Sequence, residues 1–129
     1  METLNNIIVM NRGDTYEFDL TIADNTTADG RYILKGDDAV YFGIMDPGQP
    51  FECALVRKKY TIEDTDEMGN LLITLQPKDT LDLLPGKYYY AIKLHLNHED
   101  IDSNTGEPTG QWIDKVVTVI NKTKLVICD

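Results

Sequence analysis

The sequence is poor in the features that mark several classes of protein. It has 12 lysines and arginines against 22 aspartates and glutamates, a formal net charge of −10, and no basic cluster. This charge repels a phosphate backbone, so the composition argues against nucleic-acid binding. No stretch reaches the roughly 18 consecutive apolar residues of a membrane-spanning helix, and no basic segment followed by an apolar run opens the chain. We therefore expect a soluble protein without a membrane span or an export signal.

Cysteine and histidine are also scarce. The two cysteines, Cys53 and Cys128, lie far apart and belong to no C-x-x-C or Cys/His array, so we expect both thiols to be reduced. The two histidines, His95 and His98, are three residues apart across the end of a predicted strand. This spacing directs their side chains to opposite faces, so a zinc site is not expected.

Motifs that carry catalysis are missing from the chain. It contains no G-x-S-x-G, no P-loop and no glycine-rich dinucleotide turn, and neither cysteine has a histidine placed by sequence to activate it. Paired carboxylates are inevitable among 22 acidic residues, and nothing singles out one pair as an acid and base. We predict that the protein is not an enzyme and uses no cofactor or metal.

Alternation typical of β-strands fills most of the sequence. It is clearest in TYEFDLTI at 15–22, where apolar residues alternate with Thr, Glu and Asp, as in a half-buried antiparallel strand. AVYFGIM at 39–45 and NLLITLQ at 70–76 follow the same period, with Phe18 and Phe42 among the predicted core residues. Weaker or longer strands are predicted in NNIIVM, RYILK, CALVRKKYTI, QWIDKVVTVI and KLVI, each bounded by turn residues.

Helical spacing occurs in one place, PKDTLDLL at 77–84, where Pro77 suits a first helical position and Leu81 and Leu84 are three residues apart. We expect a single helical turn there. Strands without intervening helices predict an all-β fold of two packed antiparallel sheets with about seven to nine strands. The length favours one domain over residues 1–129, with the apolar ends, 1–10 and 121–129, as candidate assembly arms.

The segment LPGKYYYAIKLHLN at 84–97 contains three consecutive tyrosines after a Pro-Gly turn. Alternation places one set on the core face and leaves Tyr89, with Ala91, Lys93 and His95, on the other face. Tyr89 is therefore predicted to be available to a partner. The predicted core set is Tyr88, Tyr90, Ile92, Leu94 and Leu96.

Two segments are apolar on both faces. In AVYFGIM the second face carries Ala39, Tyr41 and Met45. In QWIDKVVTVI the first face carries Trp112, Val116 and Ile120, and the opposite one Ile113, Val117 and Val119. Two explanations stay open: a bulged central strand or a face covered by a loop, and a subunit interface.

The most acidic stretch is HEDIDSNTGEPTG at 98–110, which we expect to be a long loop between two strands. Asp100, Asp102 and Asn104 occupy alternate positions, as oxygen ligands of calcium do. The glycine of a calcium loop comes one place late, however, and the closing acid is absent. A solvated or partner-binding loop is the preferred interpretation, with calcium binding as the alternative.

The order of four segments, GDTYEFDLTI, GDDAVYFGIMD, NLLITLQPKDTLDLLPGKYYYAIKL and KVVTVIN, resembles a known family. It is similar to the immunoglobulin-like β-sandwich modules of tailed-phage virion proteins, especially the N-terminal domain of the baseplate upper protein family. The resemblance covers roughly residues 12–120. It implies an immunoglobulin-like sandwich in a virion structural protein, a baseplate, tail or head-decoration component. Such a protein is made in the host cytoplasm, has no catalysis or cofactor, and binds other virion proteins or further copies of itself.

Exposed strand edges and apolar ends are the natural contact points of such an assembly. The interface candidates are Ile7, Ile8, Val9, Tyr41, Tyr89, Trp112, Leu125, Val126 and Ile127. The alternative function is a carbohydrate-binding module, because small sandwiches also stack sugars on exposed aromatic residues. Trp112 beside the 98–110 loop is the feature that favours this alternative.

Overall fold

A computed structural model describes residues 7–23, 30–67, 69–102 and 104–129. Within these ranges the chain forms nine strands, one short helix and two 3₁₀ turns. The helix is α1 (Pro77–Thr80), and the turns are Phe51–Cys53 and Ile62–Asp64. The strands are β1 (Ile8–Asn11), β2 (Tyr16–Leu20), β3 (Ile22–Ala23), β4 (Arg31–Tyr32), β5 (Ala39–Met45), β6 (Val56–Thr61), β7 (Leu71–Leu75), β8 (Gly86–Ile101) and β9 (Pro108–Cys128).

The strands form a sandwich. Five of them make one sheet in the order β1-β9-β8-β5-β6, while β2 pairs with β7 and β3 pairs with β4. Every pairing is antiparallel except that of β1 with β9, which is parallel. The β2–β7 pair packs on one face of the five-stranded sheet, and the predicted all-β sandwich with one short helical turn is confirmed.

An aromatic cluster lies between the two sheets. The rings of Phe42 and Tyr90 stack with their centroids 5.7 Å apart, and the ring of Phe18 from β2 lies 6.4 Å from each of them. Alternation along β8 also buries Tyr88, and the Tyr88 hydroxyl donates to the Leu84 carbonyl at 2.6 Å. The faces predicted for the tyrosine segment are therefore confirmed, with Leu96 only partly buried.

Helix α1 closes one end of the β2–β7 pair. Pro77 occupies its first turn, and the side chains of Gln76 and Asp79 form a capping box. The last residue, Thr80, is fully buried, and its hydroxyl accepts the Gly13 N–H at 2.9 Å. The helix thus anchors to the chain through a polar contact, and the two leucines that suggested it remain on the surface.

The second apolar face of β5 is covered by a loop. Met45 is fully buried, and a Cβ on Gly43 would lie 3.0 Å from the Phe51 ring and 3.1 Å from the Ala54 Cβ. The 3₁₀ turn at Phe51–Cys53 therefore packs directly on the sheet. For residues 43–45 of β5 the covering loop is the correct explanation of the apolar second face.

Both ends of the described chain dock on the five-stranded sheet. Residues 8–11 pair in parallel with 125–128, and alternation turns Ile8, Leu125 and Ile127 into the core. These three residues were predicted as interface candidates; the structure corrects this, since each is at most 3% exposed. Ile7 and Val9 point to the outer face and are 52% and 60% exposed, while Val126 is partly buried. The rest of the candidate arm 1–10, residues 1–6, lies outside the described residues.

Candidate functional site

The most distinctive feature of the sandwich is the outer edge of β9. This strand is 21 residues long and pairs with β8 along one edge from Pro108 to Ile127. Its other edge pairs with β1 only from Leu125 to Cys128. Among the described residues no strand pairs with this edge between Pro108 and Lys124, so within that part of the chain its outward N–H and C=O groups have no strand partner.

Only part of this edge is regular. Tyr90 pairs with Thr123, Ile92 with Ile120 and Lys93 with Thr118, so β9 carries extra residues between these pairs. Such bulges bend a strand and disrupt further pairing. From Trp112 to Thr118, in contrast, the register with β8 is continuous. We call this segment, residues 112–118, the open edge.

Two exposed apolar side chains project from the open edge. Alternation places Trp112, Asp114 and Val116 on the outer face of the sheet, and Trp112 and Val116 are 57% and 59% exposed. The covering loop that explains the outer face of β5 does not bury these side chains. For this segment the subunit-interface explanation stays open.

Polar contacts fix the geometry of this patch. The Trp112 indole N–H donates to the Asn97 side-chain oxygen at 2.6 Å, which sets the orientation of the ring. Two residues further along each strand, the His95 ring nitrogen Nε2 lies 2.6 Å from the Asp114 carboxylate. Both contacts are diagonal ones between β8 and β9, since Trp112 lies opposite Glu99 and Asp114 lies opposite Asn97 on the outer face.

A groove of about 600 Å³ lies next to Asn97 and His95 on the outer face of β5, β6 and β8. The buried Ala39 lies at its centre, since it pairs with both Thr61 and His95. The remaining lining residues are Gly36, Asp37, Asp38, Tyr41, Lys59, Ile62, Glu63 and Asn97. Sequence analysis did not predict this groove, because its walls come from three separate segments.

A buried carboxylate holds one wall of the groove. Asp38 is 1% exposed and accepts hydrogen bonds from the Asn97 N–H at 2.6 Å, His98 Nδ1 at 2.8 Å, the Lys35 N–H at 3.1 Å and the Tyr32 hydroxyl. Burial acts to raise the pKa of Asp38, but the hydrogen bonds from His98, Tyr32, Asn97 and Lys35 bring it below its ordinary value of 3.8. Asp38 therefore stays ionised and fixes the loop to β8.

Gly36 allows this loop to approach β8. Its φ is +60°, and a Cβ at this position would lie 2.7 Å from the His98 Cβ. Only glycine fits without displacing β8. The segment KGDD predicts a turn from sequence, but nothing in it shows that the second aspartate is buried.

The predicted outer-face tyrosines contribute unequally to this surface. Tyr89 lies on the outer face, opposite Met45 and Lys124, but is only partly exposed. Tyr41 is also partly buried and lines the groove, with the Lys59 ammonium 5.9 Å from its ring centre. Of the interface candidates, Trp112 is therefore the aromatic side chain with the largest exposed fraction.

The acidic stretch 98–110 differs from its prediction. β8 continues to Ile101 and β9 begins at Pro108, so most of the expected loop is a strand hairpin. Asp100 accepts the Thr109 hydroxyl at 3.1 Å and Asp102 accepts the Asn104 N–H at 2.8 Å. Both carboxylates are thus already used in closing the hairpin. In the described ranges no group of three or more His, Cys, Asp and Glu side chains is placed to hold a metal.

The two histidines lie on opposite faces of β8, as their spacing predicts. His98 is buried against Asp38 on one side of β8, while His95 is partly exposed on the other. Cys53 is exposed, Cys128 is partly buried, and both are free.

Comparison with protein-family models, curated proteins and solved structures gave no match. Within the part of the chain that the structure describes, no helix has the length and apolar character needed to cross a membrane.

Proposed function

We propose that this protein is a non-enzymatic structural component of a bacteriophage virion, in the baseplate, in the tail or as a head decoration. It acts through contacts with other virion proteins and with further copies of itself. The resemblance of four sequence segments to the sandwich modules of tailed-phage virion proteins supports this proposal. The sandwich fold is compatible with it but is shared by proteins of many functions.

The observation that carries the proposal is the open edge of β9. A strand whose outward backbone groups are unpaired can be extended by a strand of a neighbouring subunit. The exposed Val116 side chain lies in the middle of the regular segment, where it would pack against the added strand. Monomeric proteins usually protect such an edge, and here the register irregularities lie on either side of residues 112–118 and leave that segment regular.

A second exposed apolar patch lies at the other end of β9. Ile7 and Val9 point outward from β1, next to the partly buried Val126. Two separate patches on one subunit suit an assembly in which each copy contacts two neighbours around a ring.

The test uses one charge substitution at two matched positions. Val116→Lys places a charge on the open edge, whereas Leu72→Lys places the same charge on β7, where Leu72 is 47% exposed. Both variants should fold, as judged by circular dichroism, because both side chains already face solvent. We expect Leu72→Lys to cosediment with phage particles like the wild type and Val116→Lys to stay in the supernatant. Equal recovery of both folded variants in particles would contradict assembly through the open edge.

A further inference from the structure

We infer that the groove on the outer face of β5, β6 and β8, together with Trp112, is a binding site for a neutral saccharide. This is a function beyond assembly, and it does not depend on strand addition. The groove takes one sugar ring, and the indole of Trp112 takes the next ring of the same chain. Four features support this inference: the exposed tryptophan, the size of the groove beside it, the charge of the groove and the rigidity of its walls.

Trp112 has the properties of a stacking surface. It is the single tryptophan of the chain, and its large, mainly apolar side chain is 57% exposed. Its indole N–H is bound to Asn97, so the ring is held in one orientation before any ligand arrives. A pyranose ring presents a face of C–H groups, which packs on such an aromatic surface while its hydroxyls remain free for hydrogen bonds.

The groove adjoins this tryptophan and has the size of a small-molecule site. Asn97 links the two, since it lines the groove and also accepts the Trp112 N–H. A volume of about 600 Å³ is within the usual range of pockets for small ligands. The Lys59 ammonium and the Glu63 carboxylate supply a donor and an acceptor around the small Ala39, and the Thr61 hydroxyl, whose oxygen already accepts the Asp64 N–H, supplies a further donor.

The charges of the groove favour a neutral ligand rich in hydroxyl groups. Among the described residues that line the groove, Lys59 is the one lysine or arginine, and Asp37 and Glu63 line the same space. An anion such as phosphate would be repelled by the two carboxylates, because charges in a concave site reinforce one another. Sugar hydroxyls can donate to carboxylates and accept from an ammonium or amide, so this mixture suits them.

The walls of the groove are preorganised. The Asp38 carboxylate ties the Gly36–Asp38 loop to the backbone of Asn97 and to His98. The His95 and Asp114 side chains are in contact at 2.6 Å and hold the β8–β9 side. A site whose walls are already fixed loses little conformational entropy on binding, which favours measurable affinity for a small ligand.

The experiment uses three neutral oligosaccharides as probes: cellohexaose, chitohexaose and maltohexaose. Because Trp112 is the sole tryptophan, its fluorescence reports on the site directly. Backbone amide shifts in ¹⁵N NMR spectra provide a second readout, which can still be measured when Trp112 is replaced. We expect at least one probe to shift the Trp112 fluorescence with a Kd of about 1 mM or tighter. Amide shifts should be confined to the groove residues and to Trp112.

Variants show whether the response comes from this site. Trp112→Ala and Thr61→Ala should each weaken binding about tenfold or more in NMR titrations. Leu72→Ala truncates an exposed apolar residue of the other sheet and should leave the Kd unchanged. Each variant's circular dichroism spectrum shows whether it is folded. An unchanged Kd in folded Trp112→Ala would overturn the inference.

The remaining outcomes are equally decisive. No response to any of the three probes at about 10 mM, or a stronger response to sodium phosphate, would overturn the proposed site. Either result would leave the assembly proposal intact, because incorporation into particles is measured in a separate experiment. Saccharide binding by a chain that is absent from particles would support the site and contradict the virion function.

Discussion

Replacement of Asp38 should reveal how much stability one buried carboxylate contributes to this small sandwich. The carboxylate is 1% exposed, with one oxygen accepting the Asn97 N–H and His98 Nδ1 and the other accepting the Lys35 N–H and the Tyr32 hydroxyl. Asp38→Ala leaves these donors without an acceptor. We expect a loss of about 3–5 kcal/mol in the free energy of unfolding, because each buried donor left without an acceptor costs about 1–3 kcal/mol and such costs are not fully additive.

Asp38→Asn is the more informative change. It preserves the shape of the side chain and one acceptor oxygen, but its NH₂ group would face two of the donors. We expect the free energy of unfolding to fall by about 2–4 kcal/mol, because the two donors that face the NH₂ group lose their acceptor and the NH₂ group itself finds none. Domains of this size have a total stability of about 5–15 kcal/mol, so the variant should remain folded and measurable.

The assay is urea unfolding followed by circular dichroism, with Asp37→Asn as the control. Asp37 precedes Asp38 but is exposed, and its replacement should change the stability by less than about 0.5 kcal/mol. Equal unfolding midpoints for Asp38→Asn and Asp37→Asn would refute the role assigned to Asp38. The pH dependence is a second check. Because the folded pKa of Asp38 lies below 3.8, its contribution is complete above pH 3.8 and is lost as the pH falls through the folded value.

Three further predictions concern the core and the groove wall. Phe42→Ala should lower the free energy of unfolding by about 3–5 kcal/mol in urea titrations, because it removes a buried ring from the aromatic cluster; a loss below about 1 kcal/mol would contradict this packing. Gly36→Ala should be more destabilising in thermal melts than Gly48→Ala. Both glycines have positive φ, but only at Gly36 does a Cβ meet the His98 side chain, and equal melting temperatures would argue against that contact. Burial and then the nearby Tyr16 raise the pKa of Tyr90 from 10.0 to about 12, so stability should fall as the pH rises from 10 to 12. In Tyr90→Phe this alkaline decline should be smaller, and an identical decline would show that other groups cause it.

The alternation of side chains was the part of the fold that the sequence predicted best. A strand that covers a core must bury every second residue, so Phe18, Phe42 and Tyr90 could be assigned to the core without knowing which strands pair. The helical turn at Pro77 was found because proline at a first helical position and a three-residue leucine spacing are signals that act within a few positions. Both signals are local in the chain.

Pairing between distant segments could not be predicted in the same way. The parallel contact of β1 with β9 joins residues from opposite ends of the sequence, so no local pattern reports it. The contact buries Ile8, Leu125 and Ile127, and it explains why these apolar residues of the ends are core rather than interface. The acidic residues at 98–110 misled the prediction because exposed strands tolerate polar side chains on both faces.

The candidate sites were only partly visible in the sequence. Trp112 was identified because an aromatic residue next to a polar stretch needs an explanation, and the structure places it on the outer face beside Asn97. The groove remained hidden, since Thr61, His95 and Asp37 come together only after β5, β6 and β8 pair. The buried Asp38 was missed for a different reason: a charged residue after a turn glycine normally faces solvent.

The number of copies of this protein in each phage particle tests the virion proposal most directly. Particles should be purified on a density gradient from a lysate of cells that carry the gene, and the chain quantified by mass spectrometry against the major capsid protein. We predict a fixed ratio that is unchanged by a second gradient. A chain that is abundant in the lysate but absent from the purified particles would contradict the account.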